Sequence, residues 1–348
     1  MPLISYTAMS GMGITASRNG LFDRLRHASK QTTGSGRQFA GRLAVPVKIC
    51  RTMVQFFTSI ASFDDYALGL QGLRFISIWM SIWLLINLES TRRGNSRCAV
   101  AGFGLLMEFM GVGVALPWWC LVDLWSSDSV FAHTTDALAE PEHMDSMKWS
   151  LLVGAGLPTL FMYLSTSRAS QLLFSKEFWI VIRLFHPLIS YVVFEILHVF
   201  PRQTQTSSPG TRASTGKLRQ GYDIVYWTCA SAHILSIVCA IAIKLANTRS
   251  DVDDQEPSLW LVTSPWQHTS HKIKNIQEGV RIFLFWNEVT TCLAIVIWAF
   301  AINQMASPSQ TAGQTLYVLG KTVISWIAIG PTATAVVLLV ARENTPYL

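Results

Sequence analysis

Glu108, Glu195 and Glu288 each stand inside an apolar stretch, in the contexts LLMEFM, VVFEIL and FWNEVT. A charged group at membrane depth costs ~2.5–3.5 kcal/mol on insertion scales, so each needs a reason to be there. A carboxyl group enclosed by apolar surface can keep its proton at neutral pH and serve as an acid. Aromatic faces attract cations through the ring quadrupole. Trp79, Trp83, Tyr191, Trp227 and Trp286 lie in the same apolar stretches, with Asn287 and Asp223 as polar neighbours. An acid above an aromatic-lined cavity suits one chemistry well: protonating an epoxide or alkene and steering the carbocation that follows. On that reading Glu108, Glu288 and Glu195 are the candidate catalytic acids. The five aromatics, Asn287 and Asp223 are the candidate substrate-binding residues. The same residues fit a multi-span transporter of a small organic or lipophilic metabolite, or a seven-helix receptor. Glu108 could also pair with a cation on another helix and only fix packing.

These groups need a membrane bundle to position them. Of 348 residues 50% are hydrophobic and only 14% charged, against about 25% charged in an average soluble domain. Mean hydropathy is +0.34, and the apolar residues gather into runs of bilayer-spanning length. Disorder, a disulfide scaffold and a nucleic-acid module are excluded. The sequence predicts an all-α, polytopic transmembrane bundle with spans near 70–88, 102–122, 149–165, 178–200, 222–245, 280–303 and 315–340. Pro117 should break the second of these. On the fourth, Arg183, Tyr191, Glu195 and His198 fall on one face at 100° per residue.

Residues 1–44 carry Arg18, Arg24, Arg26, Lys30, Arg37 and Arg42 without one Glu, and read as a disordered basic cytoplasmic tail. Residues 45–64 read as an interfacial helix or an extra span, 65–342 as the bundle and 343–348 as a short tail. The net charge of +6 and the arginines of loops 89–97, 166–177 and 246–279 place those loops and the C-terminus on the cytoplasmic side. A cytoplasmic N-terminus then requires eight spans rather than seven.

No Walker loop, HExxH or GxSxG occurs, and no aspartate-rich diphosphate motif. His268 and His271 form HxxH in a loop, without the further ligands a zinc site needs. The six cysteines contain no CxxC and read as buried apolar residues. No cofactor and no metal are expected, and no nucleic-acid partner.

The stretch FGLLMEFMGVGVALPWW, from Phe103 to Trp119, resembles the second-span region of fungal membrane-bound terpene cyclases of the ascochlorin and ascofuranone pathway type. It has the carboxylate, the Gly-x-Gly and the Leu-Pro. The resemblance implies cyclisation of an epoxidised or plain farnesyl chain, free or attached to an aromatic ring, in secondary metabolism. It implies metal-independent, class II-like chemistry, a lipophilic prenylated substrate and a multi-pass protein of the endoplasmic reticulum membrane. It also implies two essential acids on different spans. Glu108 matches the first, and Glu288, Glu195 or Asp223 would be the second.

Overall fold

The computed structural model describes residues 1–32, 44–61, 66–92, 96–126, 141–165, 175–199, 211–247, 273, 275–307 and 310–343. Among them every regular element is helical, and there is no strand. The helices are α1 (Pro2–Ala8), α2 (Thr15–Arg18), α3 (Leu21–Thr32), α4 (Ala44–Ile60), α5 (Tyr66–Arg92), α6 (Arg97–Met110), α7 (Val112–Ser126) and α8 (Pro141–Leu151). They continue as α9 (Leu157–Leu164), α10 (Lys176–Leu184), α11 (His186–Val199), α12 (Thr211–Asn247), α13 (Ile276–Met305), α14 (Ala312–Ile329) and α15 (Pro331–Glu343). Wide π-type turns join α1 to α2 and α8 to α9.

Four stretches among the described residues are long and apolar enough to cross a membrane: Leu68–Arg92, Ser146–Leu164, Arg219–Cys239 and Ile276–Met305. A fifth arises if α10 and α11, bent by 70° at Phe185, count as one. The expected spans near 102–122 and 315–340 are each split into two shorter helices. The reason is local. Gly111 and Gly330 take φ of 90° and 88°, a backbone region closed to most side chains. Pro331 then opens α15, where its missing N–H costs nothing. The second span therefore breaks at Gly111, and α7 runs on through Pro117.

The main apolar cluster of the core centres on α5, α7, α13 and α15, with Trp79, Trp298, Ile82 and Leu85 fully enclosed, and a second, small cluster joins Ala8, Met12, Val114 and Trp286. Polar ties lock it. Arg342 on α15 donates to Glu89 on α5 at 2.9 Å, and Tyr222 on α12 donates to the same carboxylate. Trp298 Nε1 donates to Asp123 Oδ2 at 2.7 Å. Gly113 lets α7 lie directly on α13: a Cβ there would come within 2.9 Å of the Asn287 carbonyl. The Gly113 N–H, freed by the break, donates to Asn287 Oδ1 at 2.6 Å.

Of the 1–44 segment expected to be a disordered tail, residues 33–43 lie outside the described residues. Residues 2–32 are mostly helical, and they are packed. Ala8, Met12 and Ala16 recur every fourth residue, as do Leu21 and Leu25, and all five are buried. Such a stripe needs an apolar surface to cover it, and α7 and α13 supply one. Ser5 Oγ donates to the Val114 carbonyl at 2.9 Å, and Trp286 packs beside Ala8 and Met12. Helix α4, from the 45–64 segment, packs through Phe56, Phe57 and Ile60. Most of loops 166–177 and 246–279, including His268 and His271, lies outside the described residues.

Candidate functional site

A buried polar centre forms where α5, α6, α10 and α11 meet. The sequence dictates its parts. On α6, Arg97, Ala101, Gly104 and Glu108 are spaced by four, three and four residues and share one stripe. Gly104 has no side chain, so Trp83 and Pro187 close over it; a Cβ there would lie 2.5 Å from the Trp83 ring. Pro187 sits in the first turn of α11, where proline favours a helix start. The bend at Phe185 turns Arg183 and His186 to the same side.

Glu108 Oε1 receives three donors. Arg183 Nη1 is 2.6 Å away, His186 Nδ1 3.1 Å away, and Trp79 Nε1 donates to the same oxygen. The Arg183 and Glu108 side chains are only 1% and 3% exposed, so the ion pair is closed to water. The Arg183 guanidinium also sits 5.4 Å from the Phe57 ring centroid. Trp79 and Trp83 meet the His186 ring edge-on, each with centroids 5.9 Å apart.

A cleft runs up to this centre. Four helix faces line it, through Trp83, Leu84, Asn87 and Thr91 on α5, Arg97 and Ala101 on α6, Met147 and Ser150 on α8, and Pro187, Ser190, Tyr191 and Phe194 on α11. Each set follows the three-and-four spacing of a helix face. The cleft is open at its mouth and narrow, with a cavity volume of only about 20 Å³. Its depth is apolar and aromatic, and Arg97 lies over the Phe194 ring at 4.1 Å. From Arg97 to Glu108 the shared stripe of α6 runs for about 16 Å at 1.5 Å per residue. Trp83 is both a cleft wall and a neighbour of His186, so the cleft and the buried centre share a partition.

The other expected site residues lie elsewhere. Glu288 on α13 pairs with Arg74 on α5 at 2.5 Å. Arg74 and Trp79 are five residues apart on α5, on faces about 140° apart, so Glu288 and Glu108 belong to separate centres. Glu195 is 40% exposed and lies 3.9 Å from Arg97. Asp223 is exposed, and Trp227 is 65% exposed on the outer side of α12. Trp286 is covered by the N-terminal helices, and Asn287 is engaged by Gly113. The single face expected for Arg183, Tyr191, Glu195 and His198 does not exist, because the 70° bend separates Arg183 from the other three. Sequence reading missed Arg74 entirely and gave His186 no role. The signal for His186 was there in the His-Pro step, which starts a helix three residues after Arg183. Among the described residues no group of three or more His, Cys, Asp or Glu side chains could hold a metal ion.

Comparison with known proteins places this geometry in a family. The chain is 22% identical over 350 residues to terpene cyclase ctvD of Aspergillus terreus, covering 97% of this chain and 95% of that protein. It is 25% identical over 350 residues to terpene cyclase ascI of Acremonium egyptiacum, covering 94% and 86%. It is 23% identical over 367 residues to terpene cyclase verU1 of Penicillium polonicum, covering 99% and 93%. No solved structure matches the chain. The CtvD domain model, however, matches residues 1–345, and the chain belongs to the CtvD domain family.

Proposed function

We propose that this protein is an integral-membrane terpene cyclase that starts a cationic cyclisation of an epoxidised or plain farnesyl chain, free or joined to an aromatic ring. The observation that carries the reading is the aromatic-walled Glu108 centre behind the Trp83 wall of the cleft, in a chain whose relatives are named terpene cyclases. A prenyl chain would lie along the cleft against Leu84, Ala101, Tyr191 and Phe194, with its reacting end at Trp83. Trp79 and Trp83 would stabilise the migrating cation through their ring faces. Glu108, expected from sequence to be the acid, enters the Arg183 pair as the carboxylate. Its proposed part is therefore to hold Trp79 and His186 in place, its charge being balanced by Arg183. Glu288 and Glu195 stand outside this centre and are given no role in the chemistry. The reaction calls for no cofactor and no metal, since an isomerisation needs only a proton lent and returned.

The apolar residues turned outward support a bilayer setting. On α14, Ile324 and Ile327 are 70% and 72% exposed, and Thr322 is the one buried residue of the helix. A bundle of seven or eight crossings in the endoplasmic reticulum membrane, with basic loops on the cytoplasmic side, is the arrangement we propose.

The test is product formation in microsomes of a host that lacks such pathways. Epoxyfarnesyl-phenol and epoxyfarnesol substrates are supplied, and mass spectrometry looks for an isomer of unchanged mass. The expected result is an isomer absent from the empty-vector control. No isomer from any prenyl substrate refutes the reading.

A further inference from the structure

Glu108 Oε1 gathers Arg183 Nη1, Trp79 Nε1 and His186 Nδ1, which leaves the question of which group there meets a substrate. The His186 ring answers it by its tautomer. Nδ1 faces two acceptors, Glu108 Oε1 at 3.1 Å and the Arg183 carbonyl at 3.2 Å. Arg183 Nη1 lies farther from Nδ1, at 3.5 Å, and it can only donate. Nδ1 therefore carries the hydrogen, and Nε2 holds the lone pair in the neutral ring. Nε2 is buried and has no hydrogen-bond partner among the described residues; Arg183 Nε and Nη2 are unmet as well, but a guanidinium can only donate, whereas Nε2 can take up and release a proton. A fully buried polar atom left unmet is uncommon and asks for a reason. Trp79 and Trp83 flank the ring edge-on, and Trp83 stands between the buried ring and the cleft, so a substrate reaches Nε2 only past the Trp83 indole.

We propose that His186 Nε2 is the atom that exchanges a proton with the substrate, and that Glu108 and Arg183 hold the ring for it. The assignment rests on the cyclase reading above and deepens it by replacing a carboxylic acid with a carboxylate-held imidazole. The cycle begins with the ring protonated at both nitrogens; in the first step this imidazolium gives its Nε2 proton to the epoxide oxygen and becomes the neutral Nδ1–H tautomer. The C–O bond to the more substituted carbon breaks, its electron pair stays on oxygen as a hydroxyl, and the carbon becomes the cation. Alkene π electrons close the ring or rings and carry the cation along the chain. In the last step a C–H bond beside the final cation breaks. Its electrons form the new C=C, and the proton returns to Nε2. The product is an isomer of the substrate, and the enzyme regains its starting proton without drawing on water. Across the cycle the Glu108 carboxylate faces the Nδ1–H, Arg183 balances Glu108, and the two indoles face the ring.

His186→Asn tests this directly, because the amide nitrogen can take the place of Nδ1 and keep the bond to Glu108 while nothing replaces Nε2. The expected result is folded protein at the wild-type level, read by fluorescence-detected size exclusion, with isomer formation down by about 100-fold or more. Glu108→Gln keeps an acceptor oxygen for Nδ1–H and should lose less per folded molecule. Isomer formation within about threefold of wild type in His186→Asn overturns the assignment. So does an inactive Glu108→Gln beside an active His186→Asn. A wild-type protein silent with every prenyl substrate fails the cyclase reading and this assignment together, whereas an active wild type with an indifferent His186→Asn fails this assignment alone.

Discussion

Replacing Arg183 with Met would strip the counter-charge from Glu108 and change little else in volume. Both side chains are almost fully enclosed, at 1% and 3% exposure, and 2.6 Å apart. Breaking a buried pair by removing one partner typically costs ~3–5 kcal/mol, because the other charge is left stranded. Trp79 and His186 still donate to Glu108 in the variant, and a hydrogen bond to a charged group is worth ~1.5–3 kcal/mol. The loss should therefore sit near the lower end, at about 3 kcal/mol. At about 2.1 cal/mol/K of unfolding entropy per residue over 348 residues, melting should fall by about 4 °C. The double variant Arg183→Met with Glu108→Leu should recover most of that, since an apolar replacement of a buried pair is often neutral. Thermal unfolding in detergent, followed by tryptophan fluorescence, reads both. The reasoning is refuted if Arg183→Met melts within about 1 °C of wild type, or if the double variant melts as low as the single one.

Glu288→Gln should leave most product formation intact per folded molecule, because Glu288 and Arg74 lie on the far side of α5 from the cleft; an isomer yield below about one tenth of wild type would place the reaction centre there instead. Gly113→Ala should lower stability by ~1–3 kcal/mol, because the added methyl meets Thr290 and the Asn287 backbone and forces α7 off α13; the same melting assay checks it. Deleting residues 1–32 should cut the yield of folded protein several-fold, since it uncovers the surface that Ala8, Met12 and Ala16 bury. A truncated chain that accumulates and melts like the full one would show the packing to be dispensable.

Part of the architecture was legible in the chain. Apolar runs marked where the helices lie, since an apolar stretch of twenty residues has few other ways to satisfy its backbone. Glu108 announced itself as a charge in such a run, and the Gly-x-Gly beside it announced a close approach. Where those runs break was harder to see. Pro117 looked like the obvious break, yet the chain turns at Gly111, because a positive φ reverses direction more sharply than a proline in a helix's second turn. The buried stripe of residues 8–25 was equally present, but arginines between its members hid it from any composition measure.

By itself the sequence determined that this chain is helical, apolar and built around a few costly ionisable groups. Those properties follow from residue type and local spacing. Only the tertiary structure decided which groups meet. Helix wheels carry no information across a bend, so Arg183 could not be matched to Glu108 until the 70° turn at Phe185 brought α10 and α11 around it. Likewise His186 became a candidate only once its Nδ1 was found against Glu108 and its Nε2 was found unmet. Those are facts about side chains 78 residues apart in sequence.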